Sequence, residues 1–445
     1  MTSRTSPGHD LPTRLLHALA PWRNAPVWHI GFSGGLDSTV LLHLLAELAK
    51  CEPLPAIKAI HVHHGLQAVA ESWPEHCQQV CQALGVDLKV VAVQVKPGAS
   101  LEEAARDARY VAFNEQLGTN EVLLTGQHRD DQAETVLFRL LRGAGLRGLS
   151  GMPVNRALGR GQLVRPLLEV SRKALEAYAA EHGLVWVDDP SNSDCHFARN
   201  YLRNEILPVI KARWPQADAS IVRAAAHLRE AQQLLDELAA QDLAAANSAH
   251  AFDWVTVPSL ALPTLASLSP ARQRNALRHW LAPLTRLPDS DHWAGWGTLR
   301  DAGQGGRPVW RLADGELHRD QGRIWWLSDD WLRLPEGVVS WADARHVLNL
   351  PGNGQLTFEG ETPTGPLQVR YRQGGEVMHL PGRGHRDLKR LLNESEIPLF
   401  VRGRLPLLYR NDEFLAVANL PQLCASPREI GRLRWAPPTS DQSLS

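Results

Sequence analysis

An apolar run, Val27 to Phe32, passes through Ser33-Gly34-Gly35-Leu36-Asp37-Ser38 into a helical run, Thr39 to Ala49, and that junction constrains the fold more than any other stretch. Two glycines admit backbone angles that turn several N–H groups toward one anion, and the following helix adds its positive dipole end. Ser33 and Ser38 supply hydroxyls, and Asp37 can hold a magnesium ion. The junction carries neither the spacing G-x-x-x-x-G-K-[ST] nor G-x-G-x-x-G, so this is a phosphate loop of another kind.

After the loop, apolar runs alternate with helical ones, the pattern of a parallel sheet covered by helices. Strands are expected at 27–32, 56–62, 88–95 and 122–125. Helices are expected near 39–49, 71–84 and 101–117, the last capped by Ser100 with Glu103 three residues on. Ligands of such sheets sit at the carboxyl ends of the strands, so the loops after Phe32, Val62, Val95 and Thr125 should converge on one crevice. Beyond Pro208 the pattern changes. Ala217 to Ala246 reads as a long helix opening a second domain, followed by a helix at 270–280 and a strand-rich tail with turns at Gly305-Gly306, Asp314-Gly315 and Gln321-Gly322. The division expected is 1–215, 216–350 and 351–445. The fold class is α/β: an N-terminal parallel-sheet domain, then a helical or mixed domain and a small α+β C-terminal one.

A second chemical signature, Gly126-Gln127-His128-Arg129-Asp130-Asp131-Gln132-Ala133-Glu134-Thr135, follows the strand ending at Thr125 and so shares the crevice. On a helix starting near Asp130, Glu134 lies one turn on and on the same face. Acids at a helix start also cap it, but here a histidine and three acids meet a phosphate loop across one sheet edge. They can carry magnesium, orient a cationic amine or move a proton. Farther upstream, Arg106 and Arg109 lie three apart on one helical face, suited to phosphate or to carboxylates.

The S-G-G-x-D-S motif resembles that of the PP-loop ATP pyrophosphatases, from about Pro26 to about Arg213. Together with G-x-H-x-D-D-x-x-E-T it resembles the tRNA(Ile)-lysidine synthetases and, less fully, the tRNA thiolases. The helix Leu101 to Tyr110 looks like that family's E-x-x-A-R-x-x-R-Y. The stretches Arg142 to Gly151, Arg165 to Leu168, Asp189 to Asn192 and Arg199 to Arg203 match the end of its catalytic domain in order, with Arg199 and Arg203 as RNA contacts alongside Arg106 and Arg109. The segment Gly384 to Leu392, then Ile397-Pro398 and Pro406 to Tyr409, looks like the C-terminal domain that the thiolases lack. Phe400-Val401-Arg402 replaces the more usual Trp-Leu-Arg there.

That resemblance implies an ATP-dependent ligase with the loop Ser33, Gly34, Gly35, Leu36, Asp37 and Ser38 cradling pyrophosphate, and with Asp37, His128, Asp130, Asp131 and Glu134 at the reacting centre. It implies magnesium, held by Asp37. Partners would be a tRNA(Ile) with a CAU anticodon, L-lysine and ATP. The cytosine O2 would attack the α-phosphate, and the lysine ε-amine would then displace AMP at C2, deprotonated by Asp130, Asp131 or Glu134. Other readings are a PP-loop tRNA thiolase and a non-catalytic RNA-binding protein with this fold.

Charge and cysteine usage bear on partners and compartment. The formal net charge is −1, yet residues 365–436 hold 12 Lys and Arg against 7 Asp and Glu. If 384–392 is a helix, His385, Lys389 and Leu392 share one face, and Arg386 and Arg390 another, giving a basic side for the tRNA acceptor arm. Five irregularly spaced cysteines read as reduced thiols, and no eighteen-residue apolar run or signal-like N-terminus is present, so a cytoplasmic protein with no membrane partner is expected. Residue patterns leave a homodimer open. His61, His63 and His64 with Cys77 and Cys81 raise a zinc reading that the cysteine spacing does not favour. Of the fifteen tryptophans, Trp325 and Trp326 read as core residues of a strand.

Overall fold

The computed structural model describes residues 10–65, 68–95, 101–288, 291–303, 306–427 and 430–438. The expected Ser100 cap and the first residue of the Gly305-Gly306 turn lie outside the described residues. Two compact units divide the chain, Met1–Gln233 and Leu234–Ser445.

The first unit opens with α1 (Leu11–Leu19), unforeseen in the sequence although Leu11, Leu15 and Leu19 recur at four-residue spacing and are all buried. There follow β1 (Val27–Gly31), α2 (Leu36–Ala49), β2 (Ala56–His63), α3 (Trp73–Leu84), β3 (Asp87–Ala92), α4 (Leu101–Gln116), β4 (Val122–Leu124) and α5 (Arg129–Leu141). Next come α6 (Leu146–Leu149), β5 (Asn155–Leu158), β6 (Gly161–Val164), α7 (Arg172–Glu181), α8 (Ala198–Tyr201), a π-turn at Leu202–Ile206 and α9 (Leu207–Arg213). The sheet order is β3-β2-β1-β4-β6-β5, parallel except for the β5–β6 edge hairpin, which the sequence reading did not anticipate. Side chains alternate across the sheet. Trp28 and Ile30 pack with Leu41, Cys77 and Leu175 on one face; Ile60, Leu123 and Leu163 pack with Phe113 on the other.

Because β1 has β2 on one side and β4 on the other, the chain reverses its winding there, and a crevice opens at the carboxyl ends of β1 and β4. The long helix α10 (Ala217–Ala246) has the bounds read from the sequence and runs across the boundary of the two units.

In the second unit, β7 (Ser259–Ala261), α11 (Leu262–Ala266), α12 (Pro270–Leu281), α13 (Ala294–Asp301), β8 (Val309–Leu312), β9 (Gly315–Asp320) and β10 (Arg323–Ser328) form a sheet ordered β7-β10-β9-β8 with helices packed on it. Strand β10 serves two cores: Ile324 and Trp326 face Leu277 and Trp310, while Trp325 and Leu327 face the C-terminal cluster. The rest comprises α14 (Asp329–Leu332), β11 (Val339–Trp341), β12 (Leu348–Asn349), β13 (Gln355–Glu359), β14 (Leu367–Arg370), β15 (Val377–Leu380), β16 (Gly384–Asp387), α15 (Leu388–Glu394), α16 (Leu399–Arg402), β17 (Leu407–Arg410), β18 (Glu413–Val417) and β19 (Arg432–Ala436).

One expectation fails in this region. Gly384 to Asp387 is not helical but a strand paired with β15, His385 standing opposite His379. Gly384 takes φ +67, closing the turn, and Asp387 caps the helix by accepting from the Arg390 N–H at 3.1 Å, so the helix starts only at Leu388. His385 and Lys389 therefore share no helical face. Arg386, Lys389 and Arg390 are all exposed, and Leu392 is buried.

Candidate active site

Ser33 to Ser38 forms a turn at the end of β1 that its own hydroxyls hold in shape. The Ser33 N–H donates to Ser38 Oγ at 3.3 Å, Ser38 Oγ donates to the Gly35 carbonyl at 3.0 Å, and the Gly35 N–H donates to Ser33 Oγ at 3.3 Å. Gly34 sits at φ +84, where a side chain would be strained, and an added Cβ would stand 3.1 Å from Cys77 Sγ. The helix α2 begins at Leu36, so its N-terminus points at the turn with Asp37 in the first helical turn. Asp37 Oδ1 is buried without a hydrogen-bond partner. A charged oxygen left so calls for a ligand, and a divalent cation fits it.

Across the crevice, the loop after β4 approaches closely because residue 126 is glycine. A Cβ there would meet the Asp37 carbonyl carbon at 3.0 Å. His128 caps α5: its Nδ1 accepts from the Asp131 N–H at 3.3 Å, while Asp131 Oδ2 accepts from the His128 N–H at 3.1 Å. This capping box was not foreseen, because histidine is an uncommon cap. His128 Nε2 lies 3.5 Å from Asp37 Oδ2 and 3.5 Å from Asp131 Oδ2. Burial disfavours a charge on this imidazole, but the Asp37 contact and the carboxylates of Asp131, Asp37 and Asp130 outweigh it and raise its pKa above the ordinary 6.5. With Nδ1 accepting from the Asp131 N–H, the ring carries its proton on Nε2, between Asp37 and Asp131.

The three acids of α5 do not act as one group. Asp130 turns away: Lys211 Nζ of α9 pairs with its Oδ1 at 2.7 Å, and the Arg172 N–H donates to its Oδ2 at 2.9 Å. Asp131 and Glu134 instead share Arg203, whose Nη2 reaches each at 2.8 Å and whose Nε donates to Glu134 Oε1 at 2.7 Å. Arg199 Nε adds a contact to Glu134 Oε2 at 3.3 Å. The expected pairing of Asp130 with Glu134 on one face thus gives way to Asp131 with Glu134. Burial disfavours the Arg203 charge, yet Glu134, then Asp131 and Asp37, hold it protonated. Lys211 carried no sequence signal, since its partner lies 81 residues away.

Burial alone would raise the Asp130 carboxyl, but the Arg172 N–H and then Lys211 outweigh it and hold its pKa below the ordinary 3.8. A depressed carboxylate stabilises the fold above its unfolded pKa, and that contribution is lost as pH falls through the folded value. Asp130→Asn is therefore expected to destabilise by about 1–2 kcal/mol at pH 7, the gap to the parent closing below about pH 4 in urea titrations. A gap that stays constant with pH would contradict this pairing.

The cavity between these elements has a volume of about 600 Å³. Ser33, Gly35, Leu36, Asp37, Ser38, Asp131, Arg106, Arg109, Arg199 and Arg203 line it; Gly34, His128, Asp130 and Glu134 do not. Of the four loops expected to converge, those after β1, β2 and β4 line it, and the loop after β3 runs into residues 96–100, outside the described residues. Arg106 and Arg109 also border a side pocket of about 170 Å³ with Tyr110, Gln127 and Arg199. The sequence reading missed residues 187–200 as a wall: Val187, Asp188, Asp189, Ser191 and Asn192 close the cavity, and the Val187 N–H donates to the Gly34 carbonyl at 2.9 Å.

Cys77 and Cys81 are buried, and burial pushes both thiols up to about 12, so neither supplies a thiolate for sulfur transfer. Among the described residues no three His, Cys, Asp or Glu side chains gather as metal ligands, and no helix is long and apolar enough to cross a membrane.

Comparison with known proteins agrees along the chain. A PP-loop domain family matches residues 8–210, a TilS substrate binding domain residues 260–325 and a TilS substrate C-terminal domain residues 367–435. The tRNA(Ile)-lysidine synthase of Pseudomonas syringae pv. tomato is 67% identical over 100% of both chains. That of Pseudomonas aeruginosa is 62% identical over 99% of this chain and 100% of its own. That of Coxiella burnetii is 38% identical over 92% of each. With the Ser33–Ser38 turn and the carboxylates of Asp37 and Asp131 lining one cavity, and with relatives matched along nearly the whole of both chains, this chain belongs to the tRNA(Ile)-lysidine synthase family.

Proposed function

We propose that this chain is an ATP-dependent ligase that joins L-lysine to C2 of the wobble cytidine of a tRNA(Ile) with a CAU anticodon, releasing AMP and pyrophosphate. The observation that carries the reading is the cavity at the β1/β4 switch point, lined by the Ser33–Ser38 turn with its Asp37 and by Asp131, while His128 Nε2 stands 3.5 Å from both acids. Full-length relatives named as tRNA(Ile)-lysidine synthases support it.

Cytosine O2 attacks the α-phosphate of ATP, the α–β phosphoanhydride bond breaks, and pyrophosphate leaves into the turn, where backbone N–H groups and the α2 dipole receive its charge. Arg199 and Arg203 line the same cavity and are placed to meet a phosphate oxygen. The lysine ε-amine, mostly protonated at neutral pH, must lose a proton before its nitrogen attacks C2 and expels AMP, and a second proton afterwards. Asp131 and Asp37 are the carboxylates of that group that line the cavity; Asp131 takes this work, with Asp37 kept for the metal, while Glu134 fixes the two arginines and Asp130 fixes the start of α5. Magnesium fits Asp37, whose Oδ1 has no other partner; when bound it supplies charge neutralisation for the polyphosphate. The segments 216–350 and 351–445, the latter with exposed Arg386, Lys389 and Arg390, bind tRNA by its phosphates, and Arg106 and Arg109 do so at the cavity. The reading places the protein in the cytoplasm.

Labelled L-lysine, ATP, magnesium and unmodified tRNA(Ile) should give a lysine-bearing cytidine with one AMP and one pyrophosphate per turnover. ATP split to AMP without lysine entering the RNA would sink the assignment of nucleophile.

A further inference from the structure

Helix α5 carries its chemistry on one side. At 3.6 residues per turn, Arg129 and Gln132 lie about 160° around the helix axis from Asp131 and Glu134, the pair that meets Arg203. Polar contacts hold that far side, and they lead to α10. Arg129 Nε donates to Asp218 Oδ2 at 3.1 Å, across 89 residues. Gln132 is 1% exposed and pairs its whole amide with the Met152 backbone: Nε2 donates to the carbonyl at 2.9 Å, and Oε1 accepts from the N–H at 2.7 Å. Arg229 Nη2 grips the same loop, donating to the Ser150 carbonyl at 2.9 Å and to the Met152 carbonyl at 3.4 Å.

On α10, Asp218 and Arg229 are eleven residues apart, which is three turns and about 20°, so they share a face. Ala225 lies between them on that face and is 0% exposed. The two anchors stand about 16 Å apart along one rigid rod, and such a pair resists both sliding and tilting. An acid in the first turn of a helix also suits the helix dipole. That service needs no partner, whereas Asp218 is 5% exposed, and a charge is buried at a cost unless it is paired. Neither Asp218 nor Arg229 lines the cavity.

We infer that Asp218 and Arg229 are positioning residues for the ligation, holding α5 so that Asp131 and Arg203 stand at the working distance from the Ser33–Ser38 turn. The inference rests on the proposed ligase reading. Because the two residues lie outside the cavity, their loss shows in the rate of the chemical steps and not in the binding of ATP or tRNA. A reacting group misplaced by about 1 Å costs about 10²-fold.

Steady-state lysidine formation by the full-length protein, counted per ATP-binding site so that unfolded chains drop out, tests this in Asp218→Asn, Arg229→Met and the two combined. Each single variant should lower kcat about tenfold and the double variant about 10²-fold, with KM for ATP and for tRNA within about twofold of the parent. Arg229→Lys keeps a donor for the Ser150 carbonyl and should recover kcat to within about threefold of the parent, since Arg229 uses a single nitrogen there. A double variant whose kcat per site stays within about threefold of the parent overturns the inference and leaves the ligase reading standing. A raised KM for tRNA at unchanged kcat overturns it as well, moving both residues to RNA binding. If the double variant binds no ATP, single variants with parental kcat per site overturn the inference in its place. A parent protein that splits ATP yet puts no lysine into tRNA overturns the ligase reading and the inference with it.

Discussion

Asp37→Asn is expected to reduce lysidine formation by about 10³-fold while changing tRNA affinity by less than about twofold. Asparagine keeps the shape of the side chain and its place in the first turn of α2, so the turn that holds phosphate survives. What disappears is the carboxylate of a residue that lines the cavity and whose buried Oδ1 has no protein partner to miss it. A group stabilising charge that develops only in the transition state contributes about 3–4 kcal/mol, which sets the size of the effect. The His128 pKa should also fall, since Asp37 is one of the groups raising it. Initial rates of lysine incorporation, beside filter binding of the same tRNA, measure the two quantities. A loss of less than tenfold would remove Asp37 from the reacting centre.

A change of comparable size, of another origin, is expected at Glu134. Its carboxylate is 2% exposed and is held by Arg203 through two nitrogens and by Arg199 through a third. Glu134→Ala leaves two half-buried guanidinium groups beside Asp131 alone, and removing one partner of a buried pair costs about 3 kcal/mol. Turnover should vanish for this reason, because the arginines lose their orientation, and tRNA binding should weaken only as far as the fold loosens. Glu134→Leu combined with Arg203→Met separates stability from chemistry. Apolar replacement of both partners should restore stability to within about 1 kcal/mol of the parent in denaturant titrations, with turnover still lost. Recovery of turnover in the double variant would show that the pair serves the fold alone.

The parts of the site that could be read in advance are those written locally. The turn from β1 into α2 is six consecutive residues whose glycines and hydroxyls satisfy one another, and α5 starts where a histidine and two acids cluster. The long-range half could not be read. Arg203 meets Glu134 across 69 residues and Lys211 meets Asp130 across 81, and nothing in either neighbourhood names its partner. The same limit explains why Asp130 read as a reacting group: in the sequence it is as good a carboxylate as Asp131, and only the position of α9 tells them apart. At Gly384 to Asp387 the error was one of local competition. The basic run has helical spacing, but a glycine with φ +67 and an aspartate cap give the backbone a hairpin instead. The strands β5 and β6 escaped notice because Asn155, Arg156 and Gln162 interrupt them, so neither reads as an apolar run.

The carboxylates of α5 also have a consequence for the order in which this protein is made. Asp130, Asp131 and Glu134 emerge from the ribosome some 65 to 80 residues ahead of the cations that neutralise them, Arg199, Arg203 and Lys211. Until those arrive, the start of α5 holds three acids with Arg129 and His128 as the adjacent groups able to carry a positive charge, a poor place to seat a triphosphate. The ATP-cleaving site is thus completed by the last stretch of chain synthesised before α10, and a nascent or truncated chain lacking that stretch has the phosphate turn without the charge balance needed to use it.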